Sequence, residues 1–439
     1  MTVKISVIGL GKLGSCSASC FSSKGFETIG VDINQNIVDL INNKKAPFVE
    51  ARLQELIDKS ENRLKATTSY KEAINNSDVT FLIVPTPSKE DGNFSNDYLK
   101  SALTKLSEEL KKADKAYHLF VITSTVTPSS TEKEFIPLIE NISGKKLNKD
   151  FGICYNPEFI ALGNIINNFL NPDMLLIGES NEFAGNMLSE IYEKVCENKP
   201  YYARMSLVSS EITKISLNSY LTMKITFANT LSNICENISG ANIDDITKAM
   251  GADKRISPYY LKGGLGYGGP CFPRDNRAFA SFAKEYDYDA LLAKTTDKVN
   301  NLQIDILTKK VMSHIKNNNE TVSILGLAYK PDTPVIEESA SIKLIDNLLK
   351  NNINVIVYDS LAMENTKEYF SEKIQYTNSI KECFEKSSIC IIALPTNEFK
   401  TIDNSFISKE ITIIDCWRIL DKKIFDEKVK YISLGSFSY

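Results

Sequence analysis

Lys4-Ile5-Ser6-Val7-Ile8-Gly9-Leu10-Gly11-Lys12-Leu13-Gly14, with Asp32 eighteen positions further on, is the stretch that decides the fold of this chain. A short β-branched run enters Gly-x-Gly-x-x-Gly, a helix-like segment continues through Ser23, and a second strand, Thr28 to Val31, ends on the acid. Strand, glycine turn, helix and strand-terminal acid at this offset form the opening unit of a dinucleotide-binding sheet. The glycines let a pyrophosphate meet backbone N–H groups at a helix N-terminus, which makes Gly9, Gly11, Lys12, Leu13 and Gly14 the expected cofactor turn. Asp32 can accept hydrogen bonds from ribose hydroxyls and would repel a 2′-phosphate, so NAD is expected rather than NADP. A tight strand–helix turn with no ligand is the plain alternative for a lone glycine motif, and the complete unit argues against it.

The same architecture recurs further along. Thr321 to Ala328 echoes the opening strand and turn, Asn354 to Asp359 echoes Glu27 to Asp32, and Ile389 to Thr396 echoes Val79 to Thr86. Continuous apolar strands in this order, separated by helix-length segments, belong to parallel sheets covered on both faces. The expected class is α/β, with two doubly wound parallel-sheet (Rossmann-like) domains joined by a long central helix and helical region. Ligands of such sheets sit at the carboxyl ends of the strands. The second copy has Ala328 and Pro331 in place of the later glycines, so it is expected to bind something other than a dinucleotide, or nothing.

Between the copies, Ser206 to Asn237 contains neither proline nor glycine and predicts one long helix. Lys214 and Asn218 lie four apart on it and so share a face. A solvated polar face is the plain reading of that pair taken alone. Gly240 suits the end of this stretch, and Asn242 suits the cap of the next helix, with Asp244 and Asp245 in its first turn. The expected organisation is a cofactor domain over 1–200, a central helical dimerisation and active-site region over 201–305, and a second sheet domain over 306–439.

Bulk properties exclude several classes. The length of 439 residues fits two or three domains, and 43% apolar with 24% charged residues is ordinary for a globular protein. A net charge of −4 makes nucleic acid an unexpected partner. The nine cysteines are scattered, and His118 and His314 are the only histidines, so neither a metal centre nor a histidine base is expected. Reduced thiols, a start that runs straight into a strand, and no apolar run of about 18 residues point to a cytoplasmic protein without membrane insertion.

One further segment carries chemistry. Gly263, Gly264, Gly266, Gly268 and Gly269 lead into Pro270-Cys271-Phe272-Pro273-Arg274-Asp275. Glycine permits close approach by another molecule and proline fixes the turn, which suits a thiol held rigidly for reaction. A glycine-rich surface loop with an incidental cysteine is the alternative.

Taken together, these motifs resemble the UDP-glucose/GDP-mannose dehydrogenase family of nucleotide-sugar 6-dehydrogenases over nearly the whole chain. The resemblance rests on the first glycine turn with Asp32, Val84-Pro85-Thr86-Pro87, Ser124-Thr125-Val126, Asn156-Pro157-Glu158-Phe159, Lys214-x-x-x-Asn218, Arg255-Ile256, Gly266 through Asp275, and Gly326 through Lys330 with Asp332-Thr333. It implies oxidation of a sugar C6 alcohol to the carboxylate with reduction of two NAD, for polysaccharide biosynthesis, by a homodimer built through the central helix. Cys271 would then be the nucleophile, and Lys214 and Asn218 would stabilise the oxyanion. Asp275, with Glu158 and Thr125 through a water, would move protons. Lys214 or Arg274 would favour the thiolate. Pro85, Thr86, Thr125 and Arg274 would join the NAD site. Phe159, Arg255, Tyr260, Leu261, Lys262, Gly268 and Lys330 would join Glu158, Lys214 and Asn218 around the UDP-sugar, with Arg418 as a further contact.

Three departures bear on the substrate. Leu162 stands where glucose- and mannose-type members carry a second acid, an acid that members acting on N-acetylated UDP-hexosamines also lack. Ile37 replaces a basic residue of the cofactor site, and Glu337 replaces a frequent arginine. A single-oxidation β-hydroxyacid dehydrogenase shares the first domain and the Lys-x-x-x-Asn pair but needs neither Cys271 nor a second sheet domain. A nucleotide-sensing scaffold on a dehydrogenase fold would need none of these side chains.

Overall fold

The computed structural model describes residues 3–160, 163–317 and 320–437. The chain forms two compact units, 1–216 and 217–439, and the division falls inside the long helix.

The first unit is organised by β1 (Ile5–Ile8), the strand that enters the glycine turn. With β2 (Thr28–Val31), β3 (Leu64–Thr67), β4 (Val79–Leu82), β5 (His118–Ile122), β6 (Phe151–Tyr155), β7 (Met174–Glu179) and β8 (Tyr201–Ser206) it builds an eight-stranded sheet in the order β3-β2-β1-β4-β5-β6-β7-β8. Strands β1 to β6 pair in parallel, β7 runs antiparallel to β6, and β8 is parallel to β7. Successive β1 side chains alternate between two cores. Ile5 and Val7 pack with Phe21 and Phe81, and Ile8 packs with Leu82, Phe120 and Ile122 on the other face. Burial on both faces explains the continuous apolar runs. The buried Ser6 hydroxyl is satisfied within the sheet by Thr80 at 2.7 Å, and Thr80 in turn meets His118 Nε2 at 2.7 Å. Desolvation pushes the His118 imidazole down to about 3, so this histidine is a neutral sheet residue.

The second unit repeats the order. β9 (Thr321–Leu325), β10 (Asn354–Tyr358), β11 (Gln375–Tyr376), β12 (Ile389–Ile392), β13 (Ile411–Asp415) and β14 (Val429–Ser433) form a wholly parallel sheet, β11-β10-β9-β12-β13-β14. In both sheets the strands beside the first one stay parallel to it, but the order in which they are added reverses there, between β1 and β4 and between β9 and β12. That reversal opens the crevice in which ligands of such folds bind.

The long helix spans Leu207–Cys235, 29 residues, or roughly 44 Å at ~1.5 Å per residue. Its amphipathicity is inverted. Glu211, Lys214, Asn218, Thr222, Asn229 and Ser232 are buried, whereas Tyr220, Phe227 and Ile234, spaced by seven, are 55, 50 and 50% exposed. Asn242 caps the next helix, Ile243–Ala252, by accepting from Asp244 N, as its position suggests. Among the described residues no helix is long and apolar enough to cross a membrane.

Candidate active site

The glycine turn after β1 assigns its three glycines different work. Gly9 has φ +92°, and a side chain there would collide with the Ile83 carbonyl. One at Gly14 would collide with the Gly9 carbonyl, so this glycine lets the helix Lys12–Ser23 pack on the strand. A Cβ at Gly11 would meet nothing within 4 Å. Gly11 is exposed and sits at the N-cap of that helix, which has no side-chain cap. The turn therefore presents unspent N–H groups to an open cradle, the arrangement a pyrophosphate needs. Lys12 is exposed beside it and Leu13 is half-buried.

Asp32 braces the same turn. One oxygen accepts from Leu10 N at 2.7 Å and the other from Asn34 N at 2.8 Å, which leaves acceptor capacity for a ribose diol. Its counterpart Asp359 accepts from Leu327, Leu361 and Ala362 N–H groups at 2.7–2.8 Å, with Ala328 N at 3.4 Å, and is buried. Backbone donors consume that carboxylate. The residues of the first sheet fit NAD; those of the second do not offer a ribose the same acid.

At the ends of β4 and β5 two turns are laced together. Thr86 Oγ1 donates to the Thr125 carbonyl at 2.7 Å, and Ser124 Oγ donates to the Val84 carbonyl at 2.6 Å. Pro85 is exposed on the outside of the first turn. After β6, Asn156 is buried and fixed by Leu176 O and the Tyr192 hydroxyl. This directs Glu158 and Phe159 toward Lys214. The Lys214 ammonium donates to the Glu158 carbonyl and lies 4.4 Å from the centre of the Phe159 ring. Burial pushes the Glu158 carboxyl up to about 7, while the Lys214 charge and the Tyr192 hydroxyl pull it down. A carboxyl that titrates near neutrality can both take and return a proton. Thr125, Glu158, Phe159 and Lys214 thus belong to the first unit.

Cys271 is exposed and is the N-cap of the helix Phe272–Lys284, with Pro273 in the first turn. The sequence reads as a proline-fixed turn here, and the structure makes it the start of a helix. The structure puts the sulfur at the positive end of 13 aligned peptides, where negative charge is favoured. Asp275 is 1% exposed, accepts from Asn218 Nδ2 at 2.6 Å and from Arg274 Nε at 3.1 Å, and its N–H closes the first turn on the Cys271 carbonyl. Asn218 and Arg274 therefore meet on one buried carboxylate.

The glycines before Cys271 serve a different purpose from the one expected. The space beside Gly264 is filled by the Trp417 ring, beside Gly268 by the Glu338 carbonyl, and beside Gly269 by the Tyr329 ring. They admit the protein's own groups. Gly268 accordingly offers a ligand only its backbone. Arg418, expected at the substrate, is instead a brace. Its guanidinium donates to Asp244 at 2.7 and 2.9 Å, to Leu434 O at 2.7 Å and to Gly263 O at 2.8 Å, and is nearly inaccessible. Leu261 is buried, so its side chain does not line a nucleotide either, while Tyr260 and Lys262 are exposed. Arg255 projects into solvent and pairs with its neighbour Asp253 at 2.6 Å. Lys330 is half-buried, 6.0 Å from the centre of the Tyr329 ring.

Of the three departures, Ile37 packs against the core below the turn and Glu337 is exposed, its carbonyl accepting from Gly269 N; Leu162 lies outside the described residues. Sequence reasoning missed most of the polar face of the long helix. Glu211 accepts from Ser129 and Thr131 N–H groups, Lys224 donates to the Ile256 and Ser257 carbonyls below Arg255, and Asn229 holds Gly264 and Leu265. The recurrence of Glu211, Lys214, Asn218 and Thr222 at three- and four-residue steps was the available signal.

Three family models match the chain in order. They are described as the NAD binding domain of the UDP-glucose/GDP-mannose dehydrogenase family, over residues 3–196, its central domain, over 208–302, and its UDP binding domain, over 323–422. The UDP-glucose 6-dehydrogenase AglM of Haloferax volcanii is 34% identical over 436 residues, covering 98% of this chain and 100% of its own. A GDP-mannose 6-dehydrogenase of Pseudomonas savastanoi pv. phaseolicola is 32% identical over 92% of this chain and 93% of its own. A solved UDP-glucose dehydrogenase from the hyperthermophilic archaeon Pyrobaculum islandicum superposes with a TM-score of 0.89 at 27% identity, over 100% of this chain and 98% of that one.

Proposed function

Because the chain belongs to the UDP-glucose/GDP-mannose dehydrogenase family and carries its NAD-binding domain, we propose that it oxidises the C6 alcohol of a UDP-sugar, UDP-glucose first among them, to the uronic acid in two steps through a covalent bond to Cys271. The match to the UDP binding domain and the relative named for UDP-glucose support the substrate. The observation that carries the mechanism is the placement of Cys271 at a helix N-terminus on a chain with an NAD-type turn.

NAD, which Gly9 to Gly14, Asp32 and the turns at Pro85–Thr86 and Thr125 would hold, would supply the hydride acceptor for each oxidation. The chain's own residues do the rest. Cys271 adds its sulfur to the C6 aldehyde, forming a C–S bond before the aldehyde is lost to water. The resulting thiohemiacetal retains the hydrogen that leaves in the second oxidation, which gives a thioester. Water then adds to the thioester carbon, the C–S bond breaks, and the carboxylate departs as the thiol is restored. Lys214 and Asn218 stabilise the negative oxygen that develops at each addition. Glu158, poised near neutrality, with Thr125 orienting a water, removes the protons that no histidine is available to take. Asp275 fixes the Asn218 amide and shares in proton transfer. Arg255, Tyr260, Lys262 and Lys330 hold the nucleotide and sugar. The product would feed polysaccharide synthesis.

Limiting amounts of UDP-glucose, the UDP-N-acetylhexosamines and GDP-mannose, each incubated with excess NAD, test this reading. Two NADH per molecule of UDP-glucose are expected. One NADH per sugar would mean a single oxidation, and a response confined to GDP-mannose would overturn the nucleotide assignment.

We further propose that the outward apolar stripe Tyr220, Phe227 and Ile234 is the seam of a homodimer. A groove of about 450 Å³ beside Ile234, Ile238, Leu302 and Ile306 continues this surface, and a repeat of seven along a helix suits pairing with a second copy. Phe227→Asp is expected to sediment as a monomer at concentrations where the wild type is a dimer; an unchanged dimer would remove this face from the interface.

A further inference from the structure

Side chains that hold the turn before Cys271 and the helix after it come from the helix Leu291–Met312. Asn300 and Asp297 are three residues apart on it. Asn300 is buried, and its carboxamide grips both backbone groups of Tyr267. Its Oδ1 accepts from Tyr267 N at 2.8 Å, and its Nδ2 donates to Tyr267 O at 3.0 Å. Only a group that both donates and accepts at fixed spacing can do this. Asp297 joins the two flanks of Cys271. Its Oδ1 accepts from the Tyr267 hydroxyl, four residues before the cysteine, and from Asn276 Nδ2 at 3.2 Å, five residues after it. Asn276 also accepts from Ser219 Oγ at 2.7 Å, next to Asn218 on the long helix.

We propose that Asn300 and Asp297 are positioning residues for Cys271, holding the turn on one side of the sulfur and the helix on the other in a single arrangement. This rests on the reading of Cys271 as nucleophile. Displacing a nucleophile by about 1 Å costs roughly a hundredfold in rate. Neither side chain needs to touch the substrate to have such an effect.

Asn300→Asp is the decisive variant, because its charge state switches the grip. A protonated carboxyl can still donate to the Tyr267 carbonyl, whereas the carboxylate turns a negative oxygen toward that carbonyl and repels it. With the nucleotide sugar that the wild type turns over, kcat relative to wild type is expected to be near unity at the acid end of the profile. It should fall to between a tenth and a hundredth, on the order of the misplacement cost above, at the alkaline end. KM for NAD should not move. Tyr267→Phe keeps the ring and deletes only the hydroxyl bond to Asp297. It is expected to lower kcat by about fivefold, the worth of one hydrogen bond.

A ratio that stays at one across the profile, or a loss equal at every pH and matched by a fall in Tm, overturns the proposal for Asn300. Wild-type kcat in Tyr267→Phe overturns it for Asp297. If Cys271→Ser still turns over, the nucleophile reading has failed. If Cys271→Ser is inert while Asn300→Asp follows the wild type, the positioning inference alone has failed.

Discussion

Cys271→Ser is expected to abolish net turnover, lowering steady-state NADH production by at least about 10⁴-fold, the scale seen when a covalent nucleophile is removed from a working constellation. The reason is chemical rather than steric. Serine keeps the helix cap and nearly the same volume, so Asp275 and Arg274 stay in place. A hydroxyl at that position lacks the intrinsic nucleophilicity of a thiolate and needs a strong base beside it. Neither histidine supplies one. His118 is buried and neutral between strands, and His314 is held below its ordinary value by burial and by Lys430 and Lys310. The check is a steady-state assay on variant protein whose circular dichroism matches the wild type. A wild-type-like rate would remove the covalent mechanism.

Lys214→Ala is expected to cost about 10³-fold, since under the proposed mechanism it deletes a buried donor to the developing negative charge. A second consequence separates this from simple misfolding. The Lys214 charge pulls the Glu158 carboxyl down against the larger effect of burial. Without it, burial acts on the carboxyl less opposed and pushes it further up, and a higher pH is needed to ionise it. The acid limb of the residual kcat profile, which reports loss of Glu158 as base, should therefore move to higher pH. A limb that stays in place or moves to lower pH, or a rate within a few-fold of wild type, contradicts the assigned roles.

The local grammar of the two sheets was readable because each strand–turn–helix unit carries its own constraint. Gly9 needs its positive φ, and Gly14 must be bare for the helix to pack. Asp32 closes the turn it follows. The antiparallel entry of β7 was not readable, since Met174–Glu179 is an apolar run whose direction depends on its neighbour. The start of the helix at Phe272 was within reach. Pro273 suits a first helical turn as well as it suits a loop, and Asp275 suits the positive end. Arg418 was beyond reach, because its carboxylate partner, Asp244, is 174 residues away and nothing local announces it. The glycines before Cys271 were misjudged for the same reason: Trp417, Tyr329 and Glu338 arrive from the second sheet's loops. A buried polar face on the long helix reverses the usual pattern, so a search for apolar periodicity passes over Asn229, while Asn300 and Asp297 declare their role only through Tyr267 and Asn276.

The most direct test of the whole account is the mass of the Cys271 peptide from enzyme quenched in acid during turnover of UDP-glucose with NAD. The account predicts a fraction of that peptide carrying the nucleotide sugar as a thioester, absent from Cys271→Ser and lost on treatment with hydroxylamine. An unmodified Cys271 peptide throughout productive turnover, or the same adduct on another residue, would contradict it.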